Sequence, residues 1–196
     1  MIWLGLAAQV STLTAMQTLL TPDDVPVGLL RQNVLQVVEI ALRITPEGDV
    51  QSCQIEVSSG DSRLDSYTCA VVSRRVKPRM FSDYGGGSGY RLYRMPITWW
   101  VGDDRPPKHS SPADLYLTVS SLPSPLRDPV QLHLSFAVDA EGRIGRCTSE
   151  DQKSDATLTN IACEQLAKAF KARAIKLSDG TAVPSVQNAT VQFDTK

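Results

Sequence analysis

The residues of this chain best equipped for chemistry are four cysteines, Cys53, Cys69, Cys147 and Cys163, and two histidines, His109 and His133. Cysteines can cross-link, ligate a metal or act as nucleophiles, and their spacing narrows the choice. Cys53 and Cys69 stand sixteen residues apart, and so do Cys147 and Cys163. No C-x-x-C pair is present and histidines are too few to complete a zinc set, so neither metal nor cofactor is expected. Four cysteines allow three pairings. The duplicated spacing selects Cys53–Cys69 and Cys147–Cys163, with four buried reduced thiols as the alternative. Neither histidine has an acidic and nucleophilic partner in a recognisable pattern, so no catalytic residue is assigned and no enzyme is expected. The loop around Gly85, Gly86, Gly87, Ser88 and Gly89 follows a helical pattern instead of leading into one. It lacks the helix N-terminus on which phosphate-binding loops depend.

The paired cysteines belong to a longer correspondence. A shift of 94 residues lays one pair on the other and also places Glu47 on Glu141, Gly48 on Gly142, Leu64 on Leu158, Lys77 on Lys171 and Arg79 on Arg173. The run Val38, Ile40, Leu42, Ile44 falls on Leu132, Leu134, Phe136, Val138, and Ile97 and Trp99 fall on Val191 and Phe193. Self-similarity on this scale implies two copies of one small module. Residues 20–101 form the first and residues 114–196 the second. Residues 102–113 (GDDRPPKHSSPA) are rich in proline, serine and charge without apolar period, and read as the linker. A module this small exposes much of its surface, and a disulfide worth about 3 kcal/mol is a sensible supplement to its core.

Stable disulfides imply an oxidising compartment such as the periplasm. Residues 1–19 begin with an apolar stretch, MIWLGLAA, followed by small polar residues, which reads as a degenerate signal peptide. The net charge of −1 and pI near 6.1 give no reason to expect nucleic acid as a partner.

Each module should supply the same elements. Val38, Ile40, Leu42 and Ile44 alternate with Glu39, Ala41 and Arg43, the period of a strand with one buried face. Pro46-Glu47-Gly48-Asp49 supplies a turn, and a strand from about residue 50 to 57 completes a hairpin. Ser58 to Ser62 break that strand and offer helix caps. Cys69, Val72 and Val76 then share a helical stripe over residues 63–76, so that helix and hairpin can be joined through Cys53. A last strand covers residues 91–100. The second module repeats this with strands at 132–138 and 144–148, a helix at 157–174 and a last strand at 186–193. The fold class is therefore α+β: two tandem β-β-α-β modules, each a three-stranded antiparallel sheet with one packed helix.

The first module also resembles a known family, the C-terminal domain of TonB. Pro22-Asp23-Asp24-Val25-Pro26 is similar to the family's opening PDDYP. The run TPEGDVQSCQIEVSSGDSRLDSYTC follows its pattern of turn glycine, strand, Ser-Ser-Gly, Leu-Asp and cysteine, ending in Arg74-Arg75-Val76-Lys77-Pro78 and a strand through Ile97-Thr98-Trp99. The two-cysteine form resembles a TonB-like branch common in alphaproteobacteria, and the internal repeat extends the likeness to the second module. The resemblance implies a periplasmic protein that takes up a peptide, a TonB box-type segment of an outer-membrane transporter or another envelope protein, by strand addition. The implied edge comprises Leu92, Tyr93, Arg94, Met95, Ile97, Thr98, Trp99 and Trp100, with Val186 to Phe193 as its counterpart. Pro96 interrupts the ladder donors of that edge. Energy coupling is not expected, because no membrane-anchoring span or long proline-rich spacer is seen. The alternative is an envelope scaffold whose edges pair internally or in a homodimer.

Two further features have plain explanations beside sharper ones. Adjacent Trp99 and Trp100 must face opposite sides, one in the core and the other at a rim or partner contact. Arg74, Arg75, Lys77 and Arg79, with Lys168, Lys171, Arg173 and Lys176, place positive charge at the helix C-termini, where it complements the dipole or meets an anionic polymer.

Overall fold

A computed structural model describes residues 19–27, 35–77, 89–100, 111–151 and 153–196. Residues 1–18, Pro78, Arg79, the glycines at 85–87, and His109 with most of the 102–113 linker lie outside the described residues. The described elements are a 3-10 turn (Pro22–Asp24), β1 (Leu35–Ile44), β2 (Val50–Val57), α1 (Ser62–Arg75), β3 (Tyr90–Trp100), β4 (Leu115–Val119), β5 (Val130–Val138), β6 (Ile144–Ser149), α2 (Ala156–Ala169), β7 (Ile175–Lys176), β8 (Ala182–Val183) and β9 (Ser185–Thr195).

The order strand, strand, helix, strand occurs twice, and local chemistry sets it in the same way each time. At the first hairpin Thr45 N–H donates to Asp49 O, and Gly48 takes φ 91°; at the second Asp139 N–H donates to Arg143 O, and Gly142 takes φ 85°. Glycine adopts that left-handed conformation without a Cβ penalty. Asp61 caps α1 by accepting from Arg63 N–H, and Asp155 caps α2 by accepting from Leu158 N–H. Both disulfides join the second strand of a hairpin to the helix that follows: Cys53–Cys69, with Cα atoms 5.6 Å apart, and Cys147–Cys163, at 5.7 Å.

The fold is α+β, but the strands form one seven-stranded sheet and not two separate ones. Its order is β2-β1-β3-β9-β5-β6, with β4 also paired to β9. The seam is parallel and short: Tyr90, Arg91 and Leu92 of β3 stand beside Ser185, Val186 and Gln187 of β9. β9, expected as an open edge, is interior. β5 pairs with it antiparallel from Val130 to Val138 on one side, and β3 and β4 share the other side.

The two helices lie on opposite faces of this sheet. Val38, Ile40, Leu42, Ile44, Tyr93, Ile97 and Trp99 pack with Leu64 and Val72 of α1. Leu132, Leu134, Phe136, Val138, Ala189, Val191 and Phe193 pack with Leu158, Ala162 and Leu166 of α2. Partners in a parallel ladder share a face, so Leu92 points the same way as Gln187 and thus towards the α2 side. Tyr93 points to the α1 side. On the α2 side Ala41 and Leu92 pack with Ile175, Tyr90 and Val183, so the β7–β8 hairpin covers what would be the open face of the first sheet half. Arg43 donates to Lys176 O, and Arg173 pairs with Glu56 at 2.8 Å. Helix α2 stops at Ala169, before the expected residue 174, so Lys171, Arg173 and Lys176 lie beyond its last turn. Arg173 instead fastens the two halves together.

Candidate functional site

The arrangement of interest begins where the parallel seam ends. Beyond Leu92, β3 diverges from β9, and one side chain fills the first gap. Asn188 Oδ1 accepts from Arg94 N–H at 2.8 Å, and its Nδ2 donates to Arg94 O at 2.8 Å. The carboxamide thus satisfies this backbone residue as a peptide group of a paired strand would. Arg94 and Asn188 are 94 residues apart, so they are counterparts in the internal correspondence. Asp114 secures the other arm of the fork. It forms an ion pair with Arg94, its Oδ2 accepts from Thr190 N–H at 2.9 Å, and its N–H donates to Thr190 O at 2.8 Å.

These contacts fix which backbone groups point into the fork. Because Arg94 N–H and C=O turn away from β1, the unbroken antiparallel register of β1 and β3 turns those of Pro96 and Thr98 the same way. The N–H that Pro96 lacks is therefore missing on the outward side, where a proline is tolerated in an edge strand. Among the described residues no strand pairs with Pro96 or Thr98 on that side. A cleft of about 50 Å³ occupies the fork, lined by Glu39, Glu56, Arg94, Pro96, Ser111 and Asp114 among others. Two of the lining residues each carry a buried atom, Arg94 Nε and Ser111 Oγ, that makes no hydrogen bond among the described residues.

The expected edge residues divide between two tasks. Leu92 is spent on the seam with β9 and Arg94 on Asn188 and Asp114. Tyr93 is buried and donates from its hydroxyl to Glu150 at 3.1 Å, bridging the halves. Ile97 and Trp99 belong to the core, where Trp99 Nε1 donates to the buried Thr68 Oγ1 at 2.8 Å. They can serve a guest strand only by shaping the edge from behind. Met95 is half-buried against the same core, and Trp100 is half-buried on the opposite face. Thr98, half-buried with its backbone turned outward, lies where β3 has no strand on its outward side among the described residues.

Sequence patterns do not reveal Asn188, Asp114 or Glu150. Asn188 sits in a strand-like run whose one signal is an Asn-Ala-Thr tripeptide, and Asp114 falls at the linker boundary. Glu150 is 3 % exposed, its Oε1 has no hydrogen-bond partner among the described residues, and burial pushes its carboxyl up to about 7 against one bond from Tyr93. Elsewhere the hydrogen bond from Arg75 is foremost in holding Asp24 down to about 2. The Arg173 hydrogen bond lowers Glu56, and burial lowers His133, which bonds through Nδ1 to Thr190 Oγ1.

Among the described residues no three His, Cys, Asp or Glu side chains gather where they could hold a metal ion. No described helix is long and apolar enough to cross a membrane. A scan of protein-family models and searches of curated proteins and of solved structures found no match to this chain.

Proposed function

We propose that this protein is a non-enzymatic binding protein of the periplasm, a tandem of TonB C-terminal-like modules that takes up an extended segment of an envelope protein by adding it to β3. The disulfides support an oxidising compartment. The observation carrying the binding reading is the contrast between β3 and β9. In the second half β4 lies in parallel against the end of β9, from Val191 to Thr195. The corresponding residues of the first half, 94 positions earlier, are Ile97 to Val101 of the β3 side and Thr21 to Val25 of the β4 side. Thr21 to Val25 do not form a strand. They fold into a 3-10 turn held by Asp24, which accepts from Thr21 and pairs with Arg75 at 2.8 Å, while Tyr67 Oη donates to Asp24 O. The place that β4 takes on β9 has no strand on β3 among the described residues, and outward backbone groups of Pro96 and Thr98 remain there for a guest.

Titration of the isotope-labelled protein with TonB-box peptides tests this by NMR. Amide shifts centred on Thr98 are expected, and their absence at saturating peptide would end the reading. One observation favours a second interpretation, an envelope scaffold with its edges paired internally: half of the expected β3 edge is already closed by β9 and Asn188. Slow hydrogen exchange at Thr98 in the unliganded monomer would select that alternative.

A further inference from the structure

The fork also carries a charge pattern that specifies its guest. Three carboxylates, Glu39, Glu56 and Asp114, line the cleft. Arg173 neutralises Glu56, and Arg94 neutralises Asp114. Among the described residues Glu39 has no ion pair or hydrogen bond from its side chain, although it is half-buried on the wall of the same cleft. A carboxylate without a partner on the wall of a cleft attracts a cation brought beside it, and more strongly there than in open water. Glu39 stands directly across from Pro96 in the β1–β3 ladder. Their side chains share the face that carries α2, and Pro96 lies between Glu39 and the side of β3 turned away from β1. A strand added there would lie about 10 Å from β1, two strand spacings away. A lysine or arginine on its α2-side face, laid over the Pro96 ring, spans that interval with its apolar stem on the proline and its charge at Glu39. Arg173 already makes the analogous reach to Glu56 from a neighbouring element.

Arg94 Nε–H and Ser111 Oγ, without a hydrogen bond among the described residues, fit the same occupant. Both can meet a neutral acceptor such as a main-chain carbonyl, whereas a second carboxylate would face the acidic excess left by Glu39. We infer that the fork selects an extended peptide carrying one basic side chain, and that Glu39 is the residue that reads it. This inference rests on strand addition at β3 and adds the chemistry of the guest.

Selection of randomised eight-residue peptides displayed against the disulfide-intact protein, with hits tested by NMR and calorimetry, separates the two levels. Peptides that shift the Thr98 amide should be enriched in Lys or Arg at a single position, and replacing that residue by norleucine should weaken binding about fivefold. Glu39→Gln keeps the shape and hydrogen-bonding capacity of the site, so the preference should vanish while unselective peptides bind as before. Glu39→Lys should instead enrich Asp or Glu at that position. Binding at Thr98 without a basic preference, or with one that survives Glu39→Gln, overturns the inference and leaves strand addition intact. Failure of every peptide to shift Thr98 overturns both.

Discussion

The two halves of the sheet are built alike at their turns, helix caps and cross-links, yet their third strands have opposite surroundings. β9 is enclosed by β5 on one side and by β3 and β4 on the other. β3 has β1 along its whole length but, among the described residues, only a three-residue seam and one carboxamide on its other side. The source of the difference is a handful of polar residues. Asp114 satisfies Thr190 and leads straight into β4, whereas the corresponding residues around Asp24 close into a turn on Arg75. Pro96, the counterpart of Thr190, has no N–H to offer such a partner. Among the described residues the two edges thus differ in whether one carboxylate bonds along the ladder, as Asp114 does, or folds back on a helix, as Asp24 does. The comparison also separates two kinds of open surface. The face of the first half is covered by β7 and β8, whereas the outward side of β3 beyond Arg94 has no paired strand among the described residues.

The disulfides give the largest test of that likeness. Replacing both cysteines of either pair by serine should cost about 3 kcal/mol in chemical denaturation, on the chain-entropy model for loops of this length. If the halves unfold as one unit through the shared sheet, the two double variants should give the same single transition. Two transitions in one of them would mean that the seam does not couple the halves. The next test concerns Glu150, whose counterpart 94 positions earlier is Glu56. The same residue type meets opposite treatment in the two halves: the Arg173 hydrogen bond lowers Glu56, whereas burial raises Glu150. Because the Glu150 carboxyl is raised in the folded state, folding favours its protonated form. The associated stability is complete below about pH 4.5 and is lost as the pH rises through about 7, up to about 3 kcal/mol in all. Glu150→Gln should flatten that profile and raise stability at pH 8, as followed by urea denaturation across pH. An unchanged profile would remove Glu150 from the interface account.

Asn188 is the smaller lever on the seam itself. Asn188→Ala leaves Arg94 N–H and C=O without their shared partner and should cost about 1–2 kcal/mol. Asn188→Asp should cost at least as much, because a carboxylate cannot donate to Arg94 O. Hydrogen exchange at Arg94 reports either change directly. The smallest effect belongs to Arg173→Ala. Its ion pair with Glu56 is half-exposed, and its loss should lower stability by no more than about 1 kcal/mol, with a measurable salt dependence in the parent protein.

Much of the local structure was legible in the chain. Alternating Val38, Ile40, Leu42 and Ile44 marked a strand, although Ala41 on its other face proves buried too, and the helical stripe over residues 63–76 followed a run, Ser58 to Ser62, that offered its cap. The repeated cysteine spacing selected the bonds that are present. Less legible was the candidate site. β4 is a five-residue strand beside a proline-rich stretch, and its pairing depends on Thr190, distant in sequence. The carboxamide of Asn188 completes a ladder only because β3 and β9 come to diverge at that point.

By itself the sequence determined the α+β class, the turns of the two long hairpins, the cap of α1, the helix-to-sheet cross-links and the core sides of β1, β5 and α1. Each of these rests on chemistry within a few residues or on a period the chain displays directly. Only the tertiary structure decided that the two sheets fuse, that the helices take opposite faces, and that β9 and Asn188 close half of the β3 edge while, among the described residues, no strand pairs with the rest. Those outcomes depend on contacts between residues some 94 positions apart, such as Asn188 with Arg94, whose energies are small and whose existence depends on the register of one short parallel seam.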